Sequence, residues 1–268
     1  MKSSRLLWRT VGLAAVLTTV MMLVGLVYAM NDILNPQPVE YMAEPEQPKP
    51  ESPLDKNSIN IVALGDSLTK GTGDASGKGY VLNVKEQLEK KAGKEVHLIG
   101  NYGISGYKTD QLLKDLQEQK SIAYGIDQAD LILLTMGGND LFDISKNVQT
   151  SSTDQLDPEK VRLAMPEPLK RMEQILVRLA ELNPQATIAY VGVYNPFYDL
   201  PEMRPASVHV AEWNEAVFRL TLRYPNLVYV PSFDLFQLNF SKYIYTDHFH
   251  PNEQGYVRIA ERVVQALQ

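Results

Sequence analysis

The 268-residue chain contains no cysteine. That excludes disulfides, thiolate metal sites and cysteine nucleophiles together. Histidine is scarce as well, with four in the whole chain, and two of them sit within the six residues TDHFHP at 246–251. Basic residues do not dominate: the net charge is −6, which gives no electrostatic reason to expect nucleic acid. The few histidines leave little material for a metal centre, because His97 and His209 supply no second ligand pair near His248 and His250. No metal or other cofactor is expected.

Long apolar runs are absent except for one. Lys2, Arg5 and Arg9 precede an uncharged stretch from Thr10 to Asn31, TVGLAAVLTTVMMLVGLVYAMN. A bilayer core needs about 20 apolar residues, and a cleaved signal usually has a shorter apolar region. Residues 1–30 therefore read as a membrane anchor, with a cleaved signal peptide as the alternative because Val27 and Ala29 form a passable cleavage site. The basic residues stay inside, so the bulk of the chain is expected outside the cytoplasmic membrane, or secreted if cleavage occurs. Residues 31–57 carry prolines at 36, 38, 45, 48, 50 and 53, and read as an extended spacer.

From Ser58 the pattern changes. Short apolar runs, NIVALG (60–65), VHLIG (96–100), LILLTMG (131–137), TIAYVGV (187–193) and LVYVPSF (227–233), alternate with amphipathic stretches. Several runs are apolar on consecutive positions, as strands buried on both faces are. Leu169, Met172, Ile175, Leu176, Leu179 and Leu182 recur at helical spacing before Pro184, and Tyr256, Ile259, Val263, Val264 and Leu267 do so at the end. The alternation predicts one α/β domain over 58–268: a three-layer α/β/α sandwich around a mainly parallel five-stranded sheet. Ligands of such sheets bind beyond the carboxyl ends of the strands.

Those ends carry polar residues. The first run leads into GDSLTKGTGD, where Ser67 follows a buried strand at a helix start. Thr69 breaks the G-x-S-x-G elbow pattern, and Thr72 and Gly79 break the phosphate-loop pattern of GDASGKG. Taken alone, Ser67 reads equally as a capping serine. The second run ends in GNYGISG (100–106), read as a turn after the strand. The third ends in GGND, where Asn139 offers a neutral amide of the kind a developing oxyanion needs, or simply a turn. Asp66 and Asp140 read as caps or braces for these loops.

Taken together, Gly65-Asp66-Ser67-Leu68, Gly103, Gly137-Gly138-Asn139-Asp140 and Asp247-His248-Phe249-His250 resemble the SGNH (GDSL-type) hydrolase superfamily over about residues 59–268. The resemblance implies a flavodoxin-like fold and a serine esterase or acylhydrolase. It places the nucleophile at Ser67, the acid/base at His250 and its carboxylate at Asp247. It also implies an oxyanion hole from Ser67, Gly103 and Asn139. The spacing of three between Asp247 and His250 lets the carboxylate hold one ring nitrogen while the other faces the serine. His248 is left as a loop residue. A carboxylic ester of a small molecule, lipid or glycan is the implied substrate. A non-catalytic, membrane-tethered binding protein for an envelope glycan or lipid is the alternative. Residues 141–165 read as a long polar lid loop, and Tyr194, Phe197 and Tyr198 as an aromatic wall or as packing. Oligomeric state is not readable.

Overall fold

The computed structural model describes residues 2–34, 51–147, 158–197 and 204–268. The chain divides into two compact units, Met1–Glu46 and Gln47–Gln268. In the first, α1 (Lys2–Leu34) contains Leu7–Asn31, a stretch with a mean hydropathy of 2.3 that is long and apolar enough to cross a membrane. Its apolar residues fall on all sides of the helix rather than along one stripe.

The second unit is built on five strands: β1 (Ser58–Gly65), β2 (Glu95–Gly103), β3 (Leu131–Thr135), β4 (Thr187–Val191) and β5 (Leu227–Val230). All pair in parallel, in the order β2-β1-β3-β4-β5. The central strands β1, β3 and β4 are buried almost throughout, which is why their sequences are apolar on consecutive positions. Edge strands β2 and β5 are only partly buried.

Alternation along β1 sends Ile59, Ile61 and Ala63 to one face, against Tyr80, Val84, Ile259 and Val263. These belong to α3 (Gly79–Ala92) and α11 (Glu253–Ala266), preceded in the chain by the single-turn α2 (Ser67–Lys70). Val62 and Leu64 point to the opposite face, into a core shared with α4 (Thr109–Glu118), α5 (Lys120–Asp127), α6 (Gly138–Asn147), α7 (Pro158–Ala164), α8 (Pro166–Leu182) and α9 (Ser207–Thr221). Short α10 (Phe240–Tyr243) precedes α11. Each large aliphatic side chain buried here contributes about 1.5–3 kcal/mol. The expected three-layer α/β/α sandwich with a five-stranded parallel sheet is what the chain forms.

Three expectations differ from the structure. Residues 51–57, read as spacer, pack onto the domain: Pro53 is buried, Lys56 pairs with Asp130 at 2.6 Å, and Lys94 donates to the Leu54 carbonyl at 2.8 Å. The turn read over 100–106 begins later, because Gly100 to Gly103 continue β2 alongside Val62 to Gly65 after a one-residue bulge. Helices α6 and α7 occupy much of 141–165, where a lid loop was expected. Leu141, Ile144, Val161 and Met165 are buried at helical spacing within that polar-looking segment. Residues 148–157 of it lie outside the described residues, as does Tyr198.

Candidate active site

The sheet order reverses direction between β1 and β3, and the crevice at their carboxyl ends is the switch point where such folds bind ligands. Ser67 opens α2 just past β1. Gly65 has φ +145°, and a Cβ there would lie 2.2 Å from the Thr135 carbonyl, so only glycine lets β1 turn this sharply beside β3. Asp66 caps α2 by accepting from the Leu68 N–H at 3.0 Å and from Thr135 Oγ1 at 2.8 Å. Below it, Thr69 Oγ1 lies 2.7 Å from Thr135 Oγ1 and 3.1 Å from the Tyr80 hydroxyl. Burial pushes the Asp66 carboxyl above its ordinary value, against the opposing effect of these hydrogen bonds.

The Asp247–His250 turn reaches the same point from the other end of the chain. Asp247 Oδ1 accepts from the N–H groups of Phe249 and His250, each at 2.9 Å, an aspartate turn that shapes its own loop. His248 adopts φ +57° at its apex and is exposed. Oδ2 is left for His250 Nδ1, at 2.6 Å, and His250 Nε2 lies 2.9 Å from Ser67 Oγ. Burial acts to raise the Asp247 carboxyl, but the His250 imidazole and the two backbone N–H groups together hold it below its ordinary value. The Tyr194 hydroxyl, at the end of β4, donates to the Phe249 carbonyl and ties the turn to the sheet.

Asn139 stands in the first turn of α6, after β3. Its Nδ2 donates to the Tyr107 carbonyl at 2.9 Å, which uses one amide hydrogen. The adjacent Asp140, buried, accepts from Thr109 N–H at 3.0 Å and Thr109 Oγ1 at 2.6 Å, with Arg171 Nη2 at 3.7 Å. Lys108 reaches Asp143 at 2.8 Å. Tyr107, Lys108 and Thr109, which lead into α4, are thus clamped to α6. The Gly137 turn is sealed by Trp213, whose Nε1–H donates to the Tyr190 hydroxyl at 2.9 Å; that hydroxyl donates to the Met136 carbonyl at 2.9 Å.

The structure corrects the choice of glycine. The Gly103 N–H donates to Asn101 Oδ1 at 3.0 Å, while Asn101 Nδ2 donates to the Thr69 carbonyl at 2.9 Å. A Cβ on Gly103 would lie 2.4 Å from the Lys70 nitrogen. Gly103 is therefore required for close approach of β2 to α2, and its donor is already engaged. Among the described residues the N–H groups of Gly106 and Ser67 have no partner. Sequence reasoning also missed Tyr107, Thr109, Thr135 and Arg171, none of which has a local signal. His97 lies 3.6 Å from Glu95, and His209 pairs with Glu212 at 3.0 Å. No group of three metal-ligating side chains converges among the described residues.

Residues 63–258 match the GDSL-like Lipase/Acylhydrolase family. The chain belongs to that family. It is an ester-bond hydrolase. It is 36% identical over 215 residues to protein YpmR of Bacillus subtilis (strain 168), covering 79% of this chain and 82% of that one. The spore germination lipase LipC of Bacillus licheniformis is 26% identical over 207 residues, covering 77% and 95%. Among solved structures, the lipase Lip_vut3 from a goat rumen metagenome superposes with a TM-score of 0.68 at 25% identity, covering 78% of this chain and all of that one. The acetylxylan esterase Axe2 of Geobacillus stearothermophilus shares the fold, with a TM-score of 0.55 at 20% identity.

Proposed function

We propose that this GDSL-like hydrolase cleaves carboxylic esters through an acyl-enzyme, with Ser67 as nucleophile, His250 as general base and then general acid, and Asp247 holding the imidazole. The observation that carries the reading is the continuous line from Asp247 Oδ2 to His250 Nδ1 at 2.6 Å and from His250 Nε2 to Ser67 Oγ at 2.9 Å. With Nδ1–H donated to the carboxylate, Nε2 is the basic nitrogen and accepts the Ser67 proton as Oγ attacks the carbonyl carbon. The imidazolium then gives that proton to the departing alcohol. Water, activated in turn by His250, releases the acid.

The oxyanion is received by the free Ser67 N–H, the second amide hydrogen of Asn139 and the Gly106 N–H, in place of Gly103. Each such donor contributes about 2.7–4 kcal/mol of transition-state stabilisation. We place residues 1–30 as the anchor or signal segment, with the hydrolase outside the cytoplasmic membrane, on the support of the apolar helix Leu7–Asn31. Ester turnover by Ser67→Ala, His250→Ala and the double variant tests the assignment. Residues acting as one unit are not additive, so each single change should cost about as much as both, on the order of 10⁴-fold or more in kcat. Independent, multiplying effects would overturn it.

A further inference from the structure

The geometry points to the acyl half of the substrate. The cleft beside Ser67 is an acyl-chain pocket, and the enzyme selects an unbranched apolar acyl group of several carbons over acetyl. This rests on Ser67 as the nucleophile. The cleft is a partly open groove of about 590 Å³, open solvent at its mouth included, and its lining is mostly apolar. Ser67 and Asn139 stand at its head, and its body is Met136, Leu141, Phe142, Val193, Phe197 and Val210. Leu141 and Phe142 come from α6, Val210 from α9, and Met136, Val193 and Phe197 from the segments that follow β3 and β4, so several elements rather than one loop shape the walls.

Asp66 and Thr135 in the wall are bonded to each other and to their neighbours. Asp66 Oδ1 accepts from Leu68 N–H and Thr135 Oγ1, and Thr135 Oγ1 is also within bonding distance of Thr69. A sugar entering here would exchange water for methyl and phenyl groups and leave its hydroxyls unpaired. An acetyl group would leave most of the apolar wall wet. An alkyl chain gains from each methylene that it buries.

The direction of the substrate follows from the base. His250 must deliver its proton to the leaving oxygen, so the alcohol lies on the His250 side. Of the Asp247–His250 turn, Phe249 lines the cleft and His250 does not, whereas Ser67 and Asn139 do. The alcohol therefore points out past the Asp247–His250 turn, and the cleft is left to the acyl chain. Val210, buried in the wall, lies on α9 one turn before Trp213, the buried ring that seals Gly137.

Two ester series on the full chain in lipid nanodiscs test this. One varies the acyl group as p-nitrophenyl acetate, butyrate, hexanoate and octanoate; the other varies the alcohol of acetate esters. In the first, kcat/KM should rise by up to about fourfold per buried methylene, leaving hexanoate ahead of acetate on the order of a hundredfold. The alcohol series should stay nearly flat. Val210→Trp, which adds bulk to the buried wall, should reduce the hexanoate-to-acetate ratio at least tenfold; Phe197→Ser, which removes wall area without adding bulk, should reduce it too. Fluorophosphonate labelling of Ser67 reports whether each variant still folds an active site. Acetate as the best acyl group, a rising alcohol series, or labelled variants with an unchanged ratio would overturn the pocket. If no ester is cleaved and the wild-type Ser67 is unlabelled, the nucleophile assignment fails and the pocket with it.

Discussion

Asn139 Nδ2 donates to the Tyr107 carbonyl at 2.9 Å, so one amide hydrogen fixes the orientation of a group that lines the cleft beside Ser67. An amide held this way is oriented before substrate arrives, and such preorganisation is where oxyanion stabilisation comes from. Asn139→Ala should lower kcat by about 10²–10³. KM should change little, because the interaction forms mainly in the transition state. Steady-state kinetics on a soluble ester checks this, and an unchanged kcat would contradict it.

Asp140 holds the same corner from below. It accepts both Thr109 donors, and Thr109 Oγ1 also accepts from Arg171 Nε at 3.0 Å. Asp140→Ala leaves buried donors unpaired, at about 1–3 kcal/mol of stability for each. If the clamp also positions Asn139 and Gly106, kcat should fall at temperatures where the variant is fully folded. Asp140→Asn, which keeps an acceptor, should recover part of the rate. A loss of stability alone, with kcat intact, would make the clamp purely structural.

Tyr194 fastens the histidine loop. Burial pushes its hydroxyl far above the ordinary tyrosine value, so it stays protonated and donates to the Phe249 carbonyl. Tyr194→Phe removes only that hydroxyl, at a stability cost of about 0.5–1.5 kcal/mol. Turnover should drop, and the drop should vanish in a His250→Ala background, where there is no imidazole left to position. An equal drop in both backgrounds would place the effect elsewhere.

Asp66 carries a pH signature. Its folded pKa is raised by burial, so the folded state keeps the proton after the unfolded chain has released it. Stability is then unaffected below the ordinary value of 3.8 and declines as pH rises through the interval up to the folded pKa. Asp66→Asn keeps an acceptor for Leu68 and Thr135 without the charge. Its stability relative to wild type should therefore grow as pH rises above about 4 in chemical denaturation. A pH-independent difference would show that the buried charge is not the cause.

The sheet was legible because β1, β3 and β4 are buried on both faces and their apolar runs are continuous. Helices α8 and α11 were legible because each turns one stripe inward. The four segments that meet at the crevice were recognisable from short motifs at strand ends. Other features depend on contacts that no local pattern encodes. Whether Gly103 or Gly106 has a free N–H is decided by the Asn101 side chain and by the approach of β2 to α2. Helix α6 extends through residues that read as loop, since Leu141 and Ile144 are too sparse among polar neighbours to announce a buried stripe. Tyr194 meets Phe249 across 55 positions, and Asn139 meets Tyr107 across 32.

The central claim is that His250 activates Ser67, and one experiment addresses it without any choice of substrate. The full chain would be treated with a fluorophosphonate that captures activated serines, and the adduct mapped by mass spectrometry in wild type, His250→Ala and His248→Ala. The structure predicts labelling at Ser67 that is lost in the His250 variant and kept in the His248 variant. Labelling at another serine, or labelling of Ser67 that survives loss of His250, would contradict it.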